Sequence, residues 1–121
     1  VKNNYAASKS RYAEVFRYLK EEILAPEQWG SRLRRDLIFD LGRAAAEFQM
    51  EPELGIAFLD YYLKDYGFKD NYPLEWAYYY RSKIYLYRKE FQEAEASIQK
   101  ALEINSNFEK GLEFLKIIKL E

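Results

Sequence analysis

Between Asn4 and Leu24 the apolar residues Tyr12, Val15, Phe16, Leu19 and Ile23 fall three and four apart, the spacing of one face of an α-helix. Ala25-Pro26 closes this stripe, because proline disfavours a helical conformation in the residue before it. Trp29-Gly30-Ser31 then predicts a turn, with Ser31 as the N-cap of the next helix. A second stripe, from about Arg32 to Gln49, sets Leu33, Leu37, Leu41, Ala45 and Phe48 along one face. Gly42 interrupts it where glycine costs about 1 kcal/mol relative to alanine, so another helix is expected to cross closely there. Pro52 suits the first turn of a third helix, where its missing N–H has no partner to lose. Leu54, Ala57, Phe58, Tyr61 and Tyr62 form the buried side of that helix, and Gly67 is the expected left-handed cap.

After a polar-aromatic loop over Phe68 to Pro73, helices are predicted from Leu74 to Lys89 and from Phe91 to Ile104. Asn105-Ser106-Asn107 breaks the chain before a last amphipathic helix carrying Leu112, Leu115, Ile118 and Leu120. Five or six helices and no strand make an all-α fold, and the short connections imply antiparallel neighbours.

Within Glu75 to Phe108, Tyr78, Ser82 and Tyr85 lie on a first helix and Phe91, Ala94, Ile98 and Ala101 on a second. Large, small and aromatic residues in this order, with the ending Lys100-Ala101-Leu102-Glu103-Ile104-Asn105, resemble the tetratricopeptide repeat (TPR), a helix-turn-helix of about 34 residues. Two positions depart from the family pattern: Arg81 stands where leucine is usual, implying a less covered face, and Ser106 where proline is usual. A more divergent copy spans about Asp36 to Leu63, with Leu41-Gly42 and Ala45, then Gly55, Leu59 and Tyr62, and one residue inserted between its helices.

The resemblance implies a short right-handed α-solenoid of antiparallel hairpins in a single domain. Its parts are an N-terminal helix (1–25), a divergent repeat (31–66), a clear repeat (74–108) and a capping helix (109–121). Gly42, Ala45, Ser82, Tyr85, Ala94 and Ala101 would be the repeat-packing residues, small wherever two helices approach closely. In the family the first helices line a groove that receives an extended peptide. The matching positions are Asp36, Phe39, Asp40, Arg43, Ala46 and Glu47, then Trp76, Tyr79, Tyr80, Lys83, Leu86 and Tyr87. Stacking would bring the equivalent cations Arg43 and Lys83 to one groove, to hold a carboxylate, while Trp76, Tyr79, Tyr80 and Tyr87 cover apolar side chains.

Composition narrows the chemistry. The 121 residues carry 19 basic and 20 acidic side chains, a net charge of −1, without the basic excess that nucleic acid or an anionic membrane would attract. No apolar run approaches the ~18 residues that would cross a bilayer. Histidine and cysteine are both at zero, which removes the commonest acid–base group, the thiolate nucleophile and nearly every zinc site. No metal or cofactor is expected. The compartment stays open between cytoplasm and periplasm.

The pairs Asp36/Asp40 and Glu47/Glu51 are spaced to share a helix face, and with Arg32, Arg34 and Arg35 they are taken as solvated surface. Aromatics make up 18% of the chain, with 12 Tyr and 8 Phe, a composition that suits both helix interfaces and binding surfaces. The expected function is therefore a non-catalytic scaffold that binds a protein or peptide segment, or another copy of itself. Two alternatives stand beside it: a spacer or regulatory tail, since Leu-Gly-Arg-Ala-Ala, a loop and one clean repeat are similar to C-terminal tails of bacterial multidomain proteins, and a small carboxylate/tyrosine enzyme.

Overall fold

The computed structural model describes residues 2–22, 26–64 and 73–120. They form seven α-helices and no strand: α1 (Lys2–Glu22), α2 (Pro26–Arg32), α3 (Arg35–Glu47), α4 (Pro52–Lys64), α5 (Leu74–Tyr87), α6 (Phe91–Ile104) and α7 (Glu109–Leu120). The fold is all-α. Gly67 and most of the predicted loop around Phe68 lie outside the described residues.

Helix α2 corrects the turn predicted at Trp29-Gly30-Ser31. Pro26 opens a helix where its missing N–H costs nothing, and Glu27 sits in the first turn, where a negative charge is favoured. Trp29 is buried and stacks on Phe58 and Tyr61 of α4, with ring centroids 4.4 and 5.4 Å away. This burial outweighs the poor helix propensity of Gly30. Ser31 therefore lies within α2, and Arg34, with extended backbone (φ −68°, ψ 151°), takes the N-cap position of α3.

Helix α3 is shorter than the predicted stripe and faces inward differently. A ladder of residues four apart drifts by about 40° per step around a helix, so the stripe turns away from the core toward its Leu37 end. Ile38, Phe39, Leu41 and Ala45 are buried, whereas Leu37 is 37% exposed and Leu33 precedes the helix. Arg35 is not a solvated residue: it donates to the Tyr62 carbonyl oxygen at 2.7 Å and lies over the Tyr62 ring. A cation there complements the C-terminal end of α4.

The two central hairpins close with the same turn. After α3, Gln49 is left-handed (φ 52°) and the Met50 N–H donates to the Ala45 carbonyl. After α5, Lys89 is left-handed (φ 62°) and the Glu90 N–H donates to the Tyr85 carbonyl. Both are Schellman-type caps without the usual glycine. The first turn contains one residue more, Glu51, at φ 47°; it lies outside α3 and shares no helix face with Glu47. Helix α5 correspondingly ends at Tyr87, two residues before the predicted Lys89.

Within each hairpin the helices run antiparallel, as Gly42 beside Leu59 and Ala45 beside Gly55 show for α3 and α4. In α5 and α6, Ser82 donates to the Ala94 carbonyl at 2.6 Å while Asn105 reaches Glu75 at 3.2 Å. Helix α4 then packs on α5, where Gly55 meets Ile84 and Asp60 meets Arg81 at 2.8 Å. Arg81 does not leave the less covered face expected of it: its side chain is 26% exposed and paired with Asp60. It also donates to Ser97 at 3.2 Å and lies over the Tyr85 ring, tying α4, α5 and α6 together. One apolar cluster joins α1 to α5, and a second joins α6 and α7 to the exposed side of α5.

Candidate functional site

Because α3 and α5 both pack on α4 in the antiparallel sense, they run in the same direction side by side. Their shared face carries Phe39, Asp40, Arg43 and Glu47 from α3 and Trp76, Tyr79, Tyr80 and Lys83 from α5. Phe39, Arg43, Pro73, Trp76 and Tyr80 line a pocket of about 240 Å³. Its walls are rings in mutual contact: Phe39 to Tyr80 at 5.9 Å and Trp76 to Tyr80 at 6.0 Å. Edge-on and tilted contacts of this kind hold aromatic side chains in place.

The two cations are engaged, each differently. Arg43 donates from Nε to Asp40 at 2.9 Å and from Nη2 to the Tyr12 hydroxyl at 3.1 Å, while that hydroxyl donates in turn to Asp40. Burial works against the charge of Arg43, but the bond and charge of Asp40 outweigh it and hold the guanidinium more firmly protonated than usual. Lys83 lies 3.7 Å from Glu47 and 5.4 Å above the Tyr79 ring. Arg43 and Lys83 therefore share a face, but not as a free pair awaiting a carboxylate.

The aromatic candidates also separate. Trp76 and Tyr80 belong to the pocket, and Tyr79 lies beside it, against Phe108 and Phe114 at 5.9 and 5.6 Å. Burial pushes the Tyr80 hydroxyl up to about 12, with the charge of Glu47 next in effect. Tyr79 is raised by burial and then by the charges of Glu47 and Glu113. Tyr87 sits elsewhere, at the turn end of α5. Its pKa is raised by burial and then by Glu53, and its buried oxygen has no hydrogen-bond partner among the described residues. Ala46, at a predicted groove position, is buried in the core.

The packing candidates occupy closed interfaces: Ala45, Ser82, Ala94 and Ala101 are fully buried, Gly42 is buried and Tyr85 is partly buried against α6 and α7. Sequence reasoning missed Tyr12 as the partner of Asp40 and Arg43, Pro73 as a pocket wall, and Glu113. Glu113 lies 34 positions after Tyr79, the length of the repeat that the sequence resembles. No comparable signal marks Tyr12. Among the described residues no acidic cluster could hold a metal ion, and no helix is long and apolar enough to cross a membrane.

No family model, curated protein or solved structure matches this chain.

Proposed function

We propose that this chain is a non-catalytic interaction scaffold of the tetratricopeptide-repeat kind, a short right-handed α-solenoid whose α3–α5 face receives an extended segment of another protein. One observation carries the reading. Two helix pairs close with the same left-handed turn, at Gln49 and Lys89, and set α3 and α5 side by side. Hairpins that cannot bury their own faces stack in this way and leave a continuous surface along one side. The pocket between Phe39, Trp76 and Tyr80 supports the reading, because it offers one apolar side chain a ring-lined seat. The non-catalytic part is supported by the engagement of Arg43 and Lys83 with neighbouring acids and by a chain without histidine or cysteine. So short a surface predicts modest affinity.

The test is a footprint. Extended peptides are titrated onto isotopically labelled protein, and amide resonances are followed by NMR. Binders are expected to shift α3 and α5 around Arg43, Trp76 and Tyr80. A footprint on α4 and α6, or no binding by any peptide of a varied panel, overturns the proposal.

A further inference from the structure

The resemblance to carboxylate-gripping repeats makes an acidic partner the natural expectation, but the side-chain geometry of the face argues the opposite. Among the charged groups that act on its rings are Asp40, Glu47 and Glu113 against Arg43 and Lys83. Arg43 is held through Nε and Nη2, both within 2.9 Å of Asp40, and Nη2 also reaches Tyr12. A guanidinium already paired with a carboxylate in this way is largely neutralised, and a second carboxylate would also face the charge of Asp40.

Lys83 is only loosely held, at 3.7 Å from Glu47, and it lies over Tyr79. It occupies the place that an ammonium group would take: above a tyrosine ring and beside a carboxylate. Glu113 is exposed and precedes Phe114, whose ring lies 5.6 Å from that of Tyr79, so α7 brings this carboxylate to the same face, and its charge acts on Tyr79. The face around Tyr79 thus holds two carboxylates against one lysine, with ring surfaces for cation–π contact.

Resting on the scaffold reading above, we infer that the partner is an extended peptide carrying an apolar anchor and a Lys or Arg side chain. The anchor enters the pocket of Phe39, Pro73, Trp76 and Tyr80. The cation settles over Tyr79 between Glu47 and Glu113 and displaces Lys83 from its loose pairing. Specificity comes from the field as much as from the fit, since an acidic segment of the same shape meets an excess of negative charge.

Three peptides of equal length and identical apolar residues, bearing lysine and arginine, bearing aspartate and glutamate, or uncharged, are titrated by calorimetry at low salt and at about 0.5 M salt. The basic peptide is expected to bind severalfold tighter than the acidic one at low salt, because its cation exchanges with a loosely paired lysine while the acidic peptide meets the same carboxylates with like charge. High salt should shrink that margin. Glu47→Gln with Glu113→Gln, both exposed and outside the core, should abolish the preference while uncharged binding persists. Tighter binding of the acidic peptide, or a basic preference that survives the double substitution, overturns the inference and leaves the scaffold reading standing. If all three fail to bind, both fall.

Discussion

A β-carbon built on Gly55 would come 2.4 Å from the β-carbon of Ala45 and 3.0 Å from Ile84 Cδ1. Helices α3, α4 and α5 therefore meet at a point with no room for even one methyl group. Ala45 cannot yield by rotating, because its only side-chain atom is fixed to the backbone, so relief requires the helices to separate. Gly55→Ala gains about 1 kcal/mol of helix propensity but must force this junction apart, at a cost of overpacking that usually runs to about 1–3 kcal/mol. Net destabilisation is expected in urea unfolding. At Gly42 the obstructing atoms belong to the Leu59 side chain, which has rotamers to explore, so Gly42→Ala should cost less. A stabilised Gly55→Ala protein would contradict the tight junction.

The left-handed turns give the opposite expectation. Gln49 and Lys89 hold positive φ although each bears a side chain, a conformation that costs about 1–2 kcal/mol outside glycine. Glycine returns part of that gain through its freer unfolded chain. Lys89→Gly should therefore stabilise by about 0.5–1 kcal/mol, raising the thermal midpoint measured by circular dichroism. Gln49→Gly should behave alike if the two turns are equivalent. Unequal signs would show that Glu51, the extra residue of the first turn, changes what its neighbour requires.

The contrast between these features and the rest explains how far the sequence could be read. Helices α5 and α6 were legible because Ser82, Ala94 and Ala101 are small for a local geometric reason and are fully buried. The boundaries of α6, Phe91 and Ile104, followed from periodicity and the break at Asn105-Ser106-Asn107. Helix α2 was hidden because its stability comes from Trp29 stacking on α4, a contact that no local pattern announces. The charged site was half legible. Spacing placed Arg43, Lys83 and the rings on one face, but whether a cation is free depends on what crosses it. Tyr12 reaches Asp40 and Arg43 from a helix with no repeat signature.

That crossing helix should be the least protected part of the chain. Among its described residues only Phe16 and Leu19 are buried, although α1 spans 21 residues. Elements with few buried apolar contacts open with small free energies. Native-state hydrogen exchange should show α1 exchanging well before α5 and α6. Tyr12→Phe removes the hydroxyl shared by Asp40 and Arg43 and should cost about 1 kcal/mol, with the loss of protection confined to α1. Equal protection of α1 and α5 would refute the loose docking.

Alkaline pH provides the last test. The Tyr80 hydroxyl is pushed up to about 12 by burial and then by Glu47, and burial is also the main cause that raises Tyr12, Tyr79 and Tyr87. In the unfolded chain a tyrosine ionises near 10. Between these values the unfolded chain has released a proton that the folded one keeps, so ionisation favours unfolding. The stability is fully present below about pH 10 and declines as pH rises toward about 12. Urea midpoints measured from about pH 8 to pH 11 should be flat at first and then fall. Tyr80→Phe, which cannot ionise, should make the fall shallower, and absorbance at about 295 nm should show one phenol fewer ionising at the alkaline end of the titration than in the parent. An unchanged slope in that variant would mean that Tyr80 ionises in the folded protein as readily as a solvated tyrosine, and that the pocket beside Phe39 is wetter than its packing implies.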